Sequence, residues 1–532
     1  MKTLKARWMD ADGQRQQILD TARECAKLTK PWALTKQGQQ ASEPLPKTFQ
    51  NMGADGVTNI VGRVHAAVFP SETPWLRYDL SPELRYGGSF ADEQLQAIEQ
   101  ALFTHEMLVM AMIESCGMAR ADEYGNRHIN SFRTSQINAI NQVVITGETL
   151  EYMDDDFGIT VYRRDQYVTK RDSTCAVQYH GIRETIDPLS LTDEQLAKAE
   201  LRYDELKEKD VGDREKDIFT FVDWQPRSRS WLITQEVNDR IINETEEKIT
   251  PYFSVPYELI PGENYARGFI EQKSPDLRSL NEGKMHLLNW AALAAKAHPV
   301  LDYSSLAQEE DLLKESGKPW RGRVENGMVM DVGFFHLGGK LNDVGFLAQF
   351  VAQIESRLGA SMLIGSESVR KSERTTAFEV ARITLEQLQG ALGGFYTPMA
   401  DALQIPLAHR SKHILEKRNL LPSLPKGAIR VRTLTGTAAL ERESQASAML
   451  DMAQVAQMLG PEALRKIDTA VFVDVYARLR GVNEPALIKT NEQLAREAQE
   501  AQAQFAEQEA TKAAMSVAGN VAQQAIAPQQ LG

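Results

Sequence analysis

The chain has 532 residues, with 60 basic against 73 acidic side chains and a net charge of −13. Its composition, 42% hydrophobic and 25% charged, is that of a folded protein and excludes disorder or collagen-like repetition for the bulk of the chain. So acidic a chain does not grip nucleic acid tightly over its whole surface, because phosphate neutralisation supplies most of that affinity, but it can still surround DNA. At about 150 residues per domain, the length corresponds to roughly three to four domain-sized pieces. The longest apolar run, Met107–Ile113, is far short of the ~20 residues of a membrane span. The N-terminus, Met1 to Trp8, lacks the apolar stretch of a secretory signal. Cys25, Cys116 and Cys175 are widely spaced, which fits neither a disulfide framework nor a C-x-x-C pair and points to a reducing compartment.

Residues 1–30 predict an opening helix through Trp8, Ile18, Ala22, Cys25 and Leu28, stopped by Pro31. A polar loop, Lys36 to Lys47, leads to a second helix over 49–69 that ends at Phe69-Pro70, before Thr73-Pro74-Trp75. A third helix is expected over 91–116, apolar at Leu95, Ile98, Leu102, Met107 and Met110. Residues 140–260 read as a mixed α/β segment. Val143-Val144-Ile145, Ile159–Tyr162, Ile218–Val222 and Trp231–Thr234 predict strands, and a charged helix is expected over 192–210.

The remainder is strongly helical. Ser274 as N-cap and Pro275 in the first turn predict a helix start, with Leu277, Leu280, Leu287, Leu288, Ala291 and Ala295 on one face until His298-Pro299. A Gly- and turn-rich stretch follows, with strands expected at Val324 and at Met328 to Met330. The next helix, 342–363, carries Val344, Leu347, Val351, Ile354, Leu358 and Met362 at spacings of three and four, a narrow packing stripe. A Ser-rich charged segment, Ile364–Thr375, precedes a capping box at Thr376 and Glu379 and a helix striped by Ala381, Leu385, Leu388, Leu392 and Phe395. Gly390, Gly393 and Gly394 loosen that helix. Further helices are expected around 398–418, 438–459 and 461–480. Beyond Thr490 the tail is Gln- and Ala-rich, and too poor in large apolar residues to bury a core.

No catalytic arrangement emerges. Gly338-Gly339-Lys340-Leu341 lacks the loop and the hydroxyl of a phosphate-binding motif, and His105-Glu106 has Val109 where a second metal ligand would stand. No G-x-S-x-G occurs. Asp154-Asp155-Asp156 reads as a solvated acidic turn in preference to a metal site. No catalytic residue, metal ligand or cofactor is assigned, and the chain is read as a non-enzyme.

The chain resembles the portal, or head-to-tail connector, proteins of short-tailed double-stranded DNA bacteriophages. The resemblance runs over roughly residues 8–480. It is carried by Phe69-Pro70 with Thr73-Pro74-Trp75, Val143–Met153, Pro261–Gly268, Asp276–Leu280 and Glu373–Ala377, in order and spacing. It implies an α+β, predominantly helical portal fold of wing, stem, clip and crown, assembling as a ring of twelve. Carried onto this chain, the wing is 1–273 plus 376–435, the stem helices 274–297 and 342–363, and the clip 298–341. The tunnel loop is 364–375, the crown 436–490, and 491–532 a flexible tail. The implied function is a DNA channel at one capsid vertex for packaging and ejection. The implied partners are the chain itself, the large subunit of the terminase motor, major capsid and scaffolding proteins, tail or adaptor proteins, internal core proteins and double-stranded DNA held weakly and without sequence preference. No membrane is involved. The implied location is the virion, after assembly in the cytoplasm of the host bacterium.

Arg357, Arg370, Lys371 and Arg374 are the candidate DNA-channel contacts. Arg357 has the alternative of an ion pair with Glu355 of a neighbouring subunit, and the loop basics that of a solvated loop balanced by Glu367 and Glu373. Val344, Leu347, Val351, Ile354 and Leu358 are the expected subunit-packing seam. A helical scaffold or adaptor without a channel is the alternative function; it predicts longer uninterrupted heptads and no strand-rich middle.

Overall fold

A computed structural model describes residues 2–35, 43–70, 75–81, 98, 102, 104–114, 131–294, 300–302, 320–325, 328–330, 337–364, 390, 396–420, 429–433, 436–459, 469, 472, 473, 475 and 476. The chain divides into two compact units, Met1–Leu440 and Glu441–Gly532.

The first unit opens with α1 (Leu4–Gly13) and α2 (Gln16–Leu28). The single opening helix of the sequence reading is therefore broken, at Gln14 and Arg15. The cause is Arg15, whose buried guanidinium turns inward to donate to the carbonyls of Arg164, Asp165 and Tyr167. α3 (Met52–Val68) matches its expected span. Gly56 of α3 faces Met362, and a Cβ there would overlap the Met362 thioether, so the missing side chain sets how closely these segments approach.

α4 (Phe132–Thr146) contains Val143-Val144-Ile145, which the sequence pattern assigned to a strand. Ser131 caps its first turn, and Gly147, at φ +92°, ends it with its N–H on the Val143 carbonyl, 2.9 Å away. All three β-branched residues are fully buried in the main core. Packing on several sides overrides their local preference for extended backbone.

Two sheets fill the middle of the chain. β2 (Glu148–Met153) lies between β3 (Ile159–Tyr162) and β9 (Tyr252–Pro256). A five-stranded antiparallel meander runs β4 (Tyr167–Arg171), β5 (Val177–Ile186), β6 (Lys216–Gln225), β7 (Ser230–Val237) and β8 (Arg240–Glu247). Leu150, Tyr162 and Tyr252 of the first sheet share a core with Tyr167, Ile182, Val222 and Ile233 of the second. Trp8 of α1 packs with Val168, Phe219 and Phe221 in a separate cluster. The charged helix expected over 192–210 is instead two short helices, α5 (Asp193–Lys198) and α6 (Tyr203–Lys207), followed by a third, α7 (Val211–Arg214). Glu200, at φ +56°, turns the chain between the first two.

Next come α8 (Phe269–Ala294) and α9 (Leu337–Ser361). Between them lie three short strands, β10 (Val300–Asp302), β11 (Trp320–Glu325) and β12 (Met328–Met330), forming one sheet. α10 (Tyr396–Lys417) follows, and β13 (Ile429–Thr433) returns to pair with β1 (Leu76–Leu80). One core joins residues of α2, α3, α4, α8, α9 and α10. At its centre Trp75 meets Phe69 edge-on at 5.3 Å and stacks on Phe132 at 6.1 Å, which accounts for the Phe69-to-Trp75 stretch that stood out in the sequence.

α11 (Gly436–Leu459) begins at the end of the first unit. In the second unit its Ala446 and Ala456 are buried, while Met452, Val455 and Leu459 are exposed. The capping box at Thr376 and Glu379, the helix it starts, and the tail beyond 476 lie outside the described residues. Among the described residues no helix is long and apolar enough to cross a membrane.

Candidate functional site

The candidate site is the antiparallel pair α8 and α9 and the segment that leaves α9. The starting point of α8 departs from expectation. It begins at Phe269, with Gly268 N–H directed at the Glu271 carboxylate (3.5 Å), so Pro275 lies inside the helix. A proline there removes the N–H that would reach the Glu271 carbonyl. The Ser274 hydroxyl donates to that same carbonyl at 2.9 Å, so Ser274 repairs the break caused by Pro275 and does not cap the helix.

The start of α8 is held by the segment Pro261–Gly268, whose residue pattern had no assigned role. Glu148, buried on β2, accepts from Arg171 at 2.7 Å, from Arg164 at 3.4 Å and from the Ala266 N–H at 3.1 Å. Tyr265 Oη accepts from the Thr169 N–H, and Arg171 Nε donates to the Asn264 carbonyl. Arg267 is gripped by Glu263 and Glu271 at 2.8 Å each. Gly147, in its left-handed conformation, lets Ala266 to Gly268 pass against the end of α4. The two sheets and α8 are thus fixed to one another through a buried charge network. No local sequence pattern announces it, because the groups that meet at Glu148 lie 16 to 118 positions from it.

Across the pair, Leu277 and Leu280 of α8 are buried, as are Val351, Ile354, Leu358 and Met362. Gly283 faces Val351, and Lys284 pairs with Glu355 at 2.7 Å. The expected seam is therefore largely occupied within the chain: Val351, Ile354 and Leu358 are core residues, with Val344 and Leu347 half-buried. Among the described residues, the exposed large apolar side chains of α9 are Phe346, 72% exposed, and Phe350, 48% exposed, on the flank of the buried stripe; on α8, Leu288 is 63% exposed. Arg357 pairs with Asp276 of its own chain at 2.5 Å and remains 65% exposed. Glu355, suggested as a neighbour's partner for Arg357, is taken by Lys284.

α9 ends in a double hydrogen-bonded turn. Ile364 N–H reaches the Gly359 carbonyl at 2.8 Å, and Leu363 takes φ +59°. Asn59 of α3 donates to the carbonyls of Met362 (3.0 Å) and Leu363 (2.8 Å). Asn59 thus fixes the end of α9, a role that sequence reading missed. Arg370, Lys371 and Arg374 lie outside the described residues.

The acidic turn after β2 is ion-paired rather than simply solvated. Asp155 accepts from Arg410 (2.6 Å) and Lys417 (2.8 Å), and Asp156 from Arg418 (2.6 Å). Burial would raise the Asp155 carboxyl, but the Lys417 hydrogen bond and the charges of Arg410, Lys417 and Arg418 together hold it below the usual carboxylate range. The turn is a clamp for the end of α10, and among the described residues no group of side chains is arranged to hold a metal ion.

A family model described as bacteriophage head to tail connecting protein matches residues 1–488. The portal protein of Escherichia phage T7 is 27% identical over 432 residues, covering 79% of this chain and 76% of its own. The portal protein of Enterobacteria phage T3 is 26% identical, covering 92% of this chain and 88% of its own, and that of Pseudomonas phage phiKMV 24%, covering 92% of both chains. A neck chain of an empty gene transfer agent particle aligns over 74% of this chain and 84% of its own at 11% identity, with a TM-score of 0.33, too low to bear on the fold.

Proposed function

Because the chain belongs to the bacteriophage head to tail connecting protein family, we propose that it is the portal of a short-tailed phage. In this reading it is a ring of twelve subunits at one capsid vertex, whose channel passes double-stranded DNA during packaging and ejection. The match of the family model over residues 1–488 carries the reading. α8 and α9 are the stem, the short strands between them belong to the clip, residues 364–375 form the tunnel loop, and α11 belongs to the crown. The packaging terminase docks on the clip, and tail proteins follow it there. Capsid, scaffolding and internal core proteins contact the rest of the ring.

The charge supports a conduit. Twelve copies at −13 carry −156, and an acidic tube keeps DNA centred by repulsion, without phosphate contacts that must break at every step. The tunnel loop carries Arg370, Lys371 and Arg374 against Glu367 and Glu373, a local excess of +1 per subunit. Arg357, exposed beside Asp276, is the further candidate for transient phosphate contact. Because the stripe Val351, Ile354 and Leu358 is filled within the chain, subunits pack through the exposed flank of α9 beside that stripe, at Phe346 and Phe350.

Negative-stain imaging of the purified protein tests this. A ring of ~700 kDa, twelve chains of 59.6 kDa, is expected. A monomer or an open filament without a central hole would favour the adaptor reading instead.

A further inference from the structure

Glu151 of β2 is fully buried on the face that meets α4, and its one hydrogen-bond donor among the described residues is Gln136 Nε2, 3.0 Å from Oε2. Two buried oxygens are left over: Oε1 of Glu151 and Oε1 of Gln136, neither with a partner among the described residues. Both are acceptors, so no rotation of either group satisfies them while the carboxyl is ionised. A proton on Glu151 does. A carboxylic acid and a primary amide facing each other form a cyclic pair, in which the amide N–H donates to one acid oxygen while the acid O–H donates to the amide oxygen. The existing Gln136-to-Glu151 bond is one half of that ring, and the two orphaned oxygens are the other half.

Among the described residues no opposite charge is available to hold the ionised form. The flanking strands β3 and β9, which pair Val161 and Phe253 with Glu151, carry no charged residue. The only charged residue of α4, Arg133, is engaged by Glu114 at 2.6 Å and by the Phe69 carbonyl. Glu148, elsewhere on β2, is held by Arg164 and Arg171. Arg410 of α10, which packs on β9, is held by Asp155.

We propose that Glu151 is a buried proton-binding switch: as a neutral acid paired with Gln136 it fastens β2 to α4, and its ionisation unfastens them. β2 leads directly into the turn at 154–158, which seats the end of α10, so loss of the proton loosens that seat as well. Burial raises the carboxyl to about 7, opposed only by the Gln136 hydrogen bond, which places the transition in the neutral range. For an acid whose folded value is raised, the folded state binds the extra proton. Stability from this group is therefore complete below the unfolded value near 4.5, falls as pH rises and is lost above about 7.

The test is Glu151→Gln in the full chain, in which an amide N–H takes the place of the acid proton. Infrared difference spectra at pH 6 are expected to show a protonated-carboxyl band in the wild type that the variant lacks. Thermal midpoints should coincide at pH 4 and diverge by pH 8 in favour of the variant, its unfolding constant lower by about two orders of magnitude. Hydrogen exchange, corrected for its intrinsic pH dependence, should quicken in residues 148–158 of the wild type alone. Gln136→Met removes both the donor to the carboxyl and the acceptor of its proton, so the protonated-carboxyl band should move to the frequency of an acid without hydrogen bonds. Absence of the band, or parallel stability profiles from pH 4 to pH 8 in wild type and Glu151→Gln, would overturn the proposal.

Discussion

The buried stripe and the exposed flank of α9 make opposite predictions. Ile354 is 3% exposed and sits in the core shared with α3 and α8. Ile354→Ala removes three carbons at roughly 0.8 kcal/mol each, about 2.5 kcal/mol, and the cavity left in a packed seam brings the loss to about 3–4 kcal/mol. Phe350, one turn earlier, is 48% exposed, and Phe346 is 72% exposed. Changing both to Ser costs the isolated chain no more than about 1 kcal/mol, yet strips the side chains proposed to meet the next subunit. Denaturant unfolding of the dissociated chain and sedimentation of the assembled one separate the two effects. Ile354→Ala should lower the unfolding midpoint whatever the assembly state. Phe346→Ser with Phe350→Ser should leave the midpoint nearly in place and shift the particle from ring to smaller species. If Ile354→Ala unfolds like the wild type, or if the double Phe variant still sediments as a full ring, the assignment of stripe and flank is wrong.

Three further outcomes follow from the same structure. Glu148→Ala leaves Arg164 and Arg171 buried without their carboxylate and should cost about 3–5 kcal/mol by chemical denaturation; a loss under 1 kcal/mol would mean water replaces the charge. Asp155→Asn weakens the clamp on α10. Because Asp155 is held below its ordinary 3.8, its contribution is present above that value and lost as pH falls through the lower folded value. Asp155 is 48% exposed, so the effect is at most ~1 kcal/mol at pH 7, and wild type and variant should converge in acid; a constant gap down to pH 2 would refute the linkage. Changing Arg370, Lys371 and Arg374 together to Ser should leave rings intact and increase loss of DNA from filled heads; normal retention would make the loop a passive connector.

Periodic and punctuating residues determined much of this protein on their own. The spans of α3, α9, α10 and α11 are set by apolar spacing and by breakers close in sequence, so they were legible within a few residues. The strands Ile159–Tyr162, Ile218–Val222 and Trp231–Thr234 likewise carry their preference locally. So does the family, because Phe69 to Trp75 and Pro261 to Gly268 are recognisable as residues before their contacts are known.

Tertiary structure alone decided the rest. Val143-Val144-Ile145 are helical because burial on several sides outweighs β-branching. Pro275 sits inside a helix because the Ser274 hydroxyl takes the carbonyl that the proline leaves unpaired. The stripe at Val351, Ile354 and Leu358 could not reveal from its spacing whether α3 and α8 or another subunit would cover it, since a periodic face records that it is buried and not by what. Glu148 with its arginines, Asn59 at the end of α9 and Gln136 facing Glu151 were invisible for the same reason: a polar side chain acquires its role from a partner that only the folded chain brings within hydrogen-bond distance.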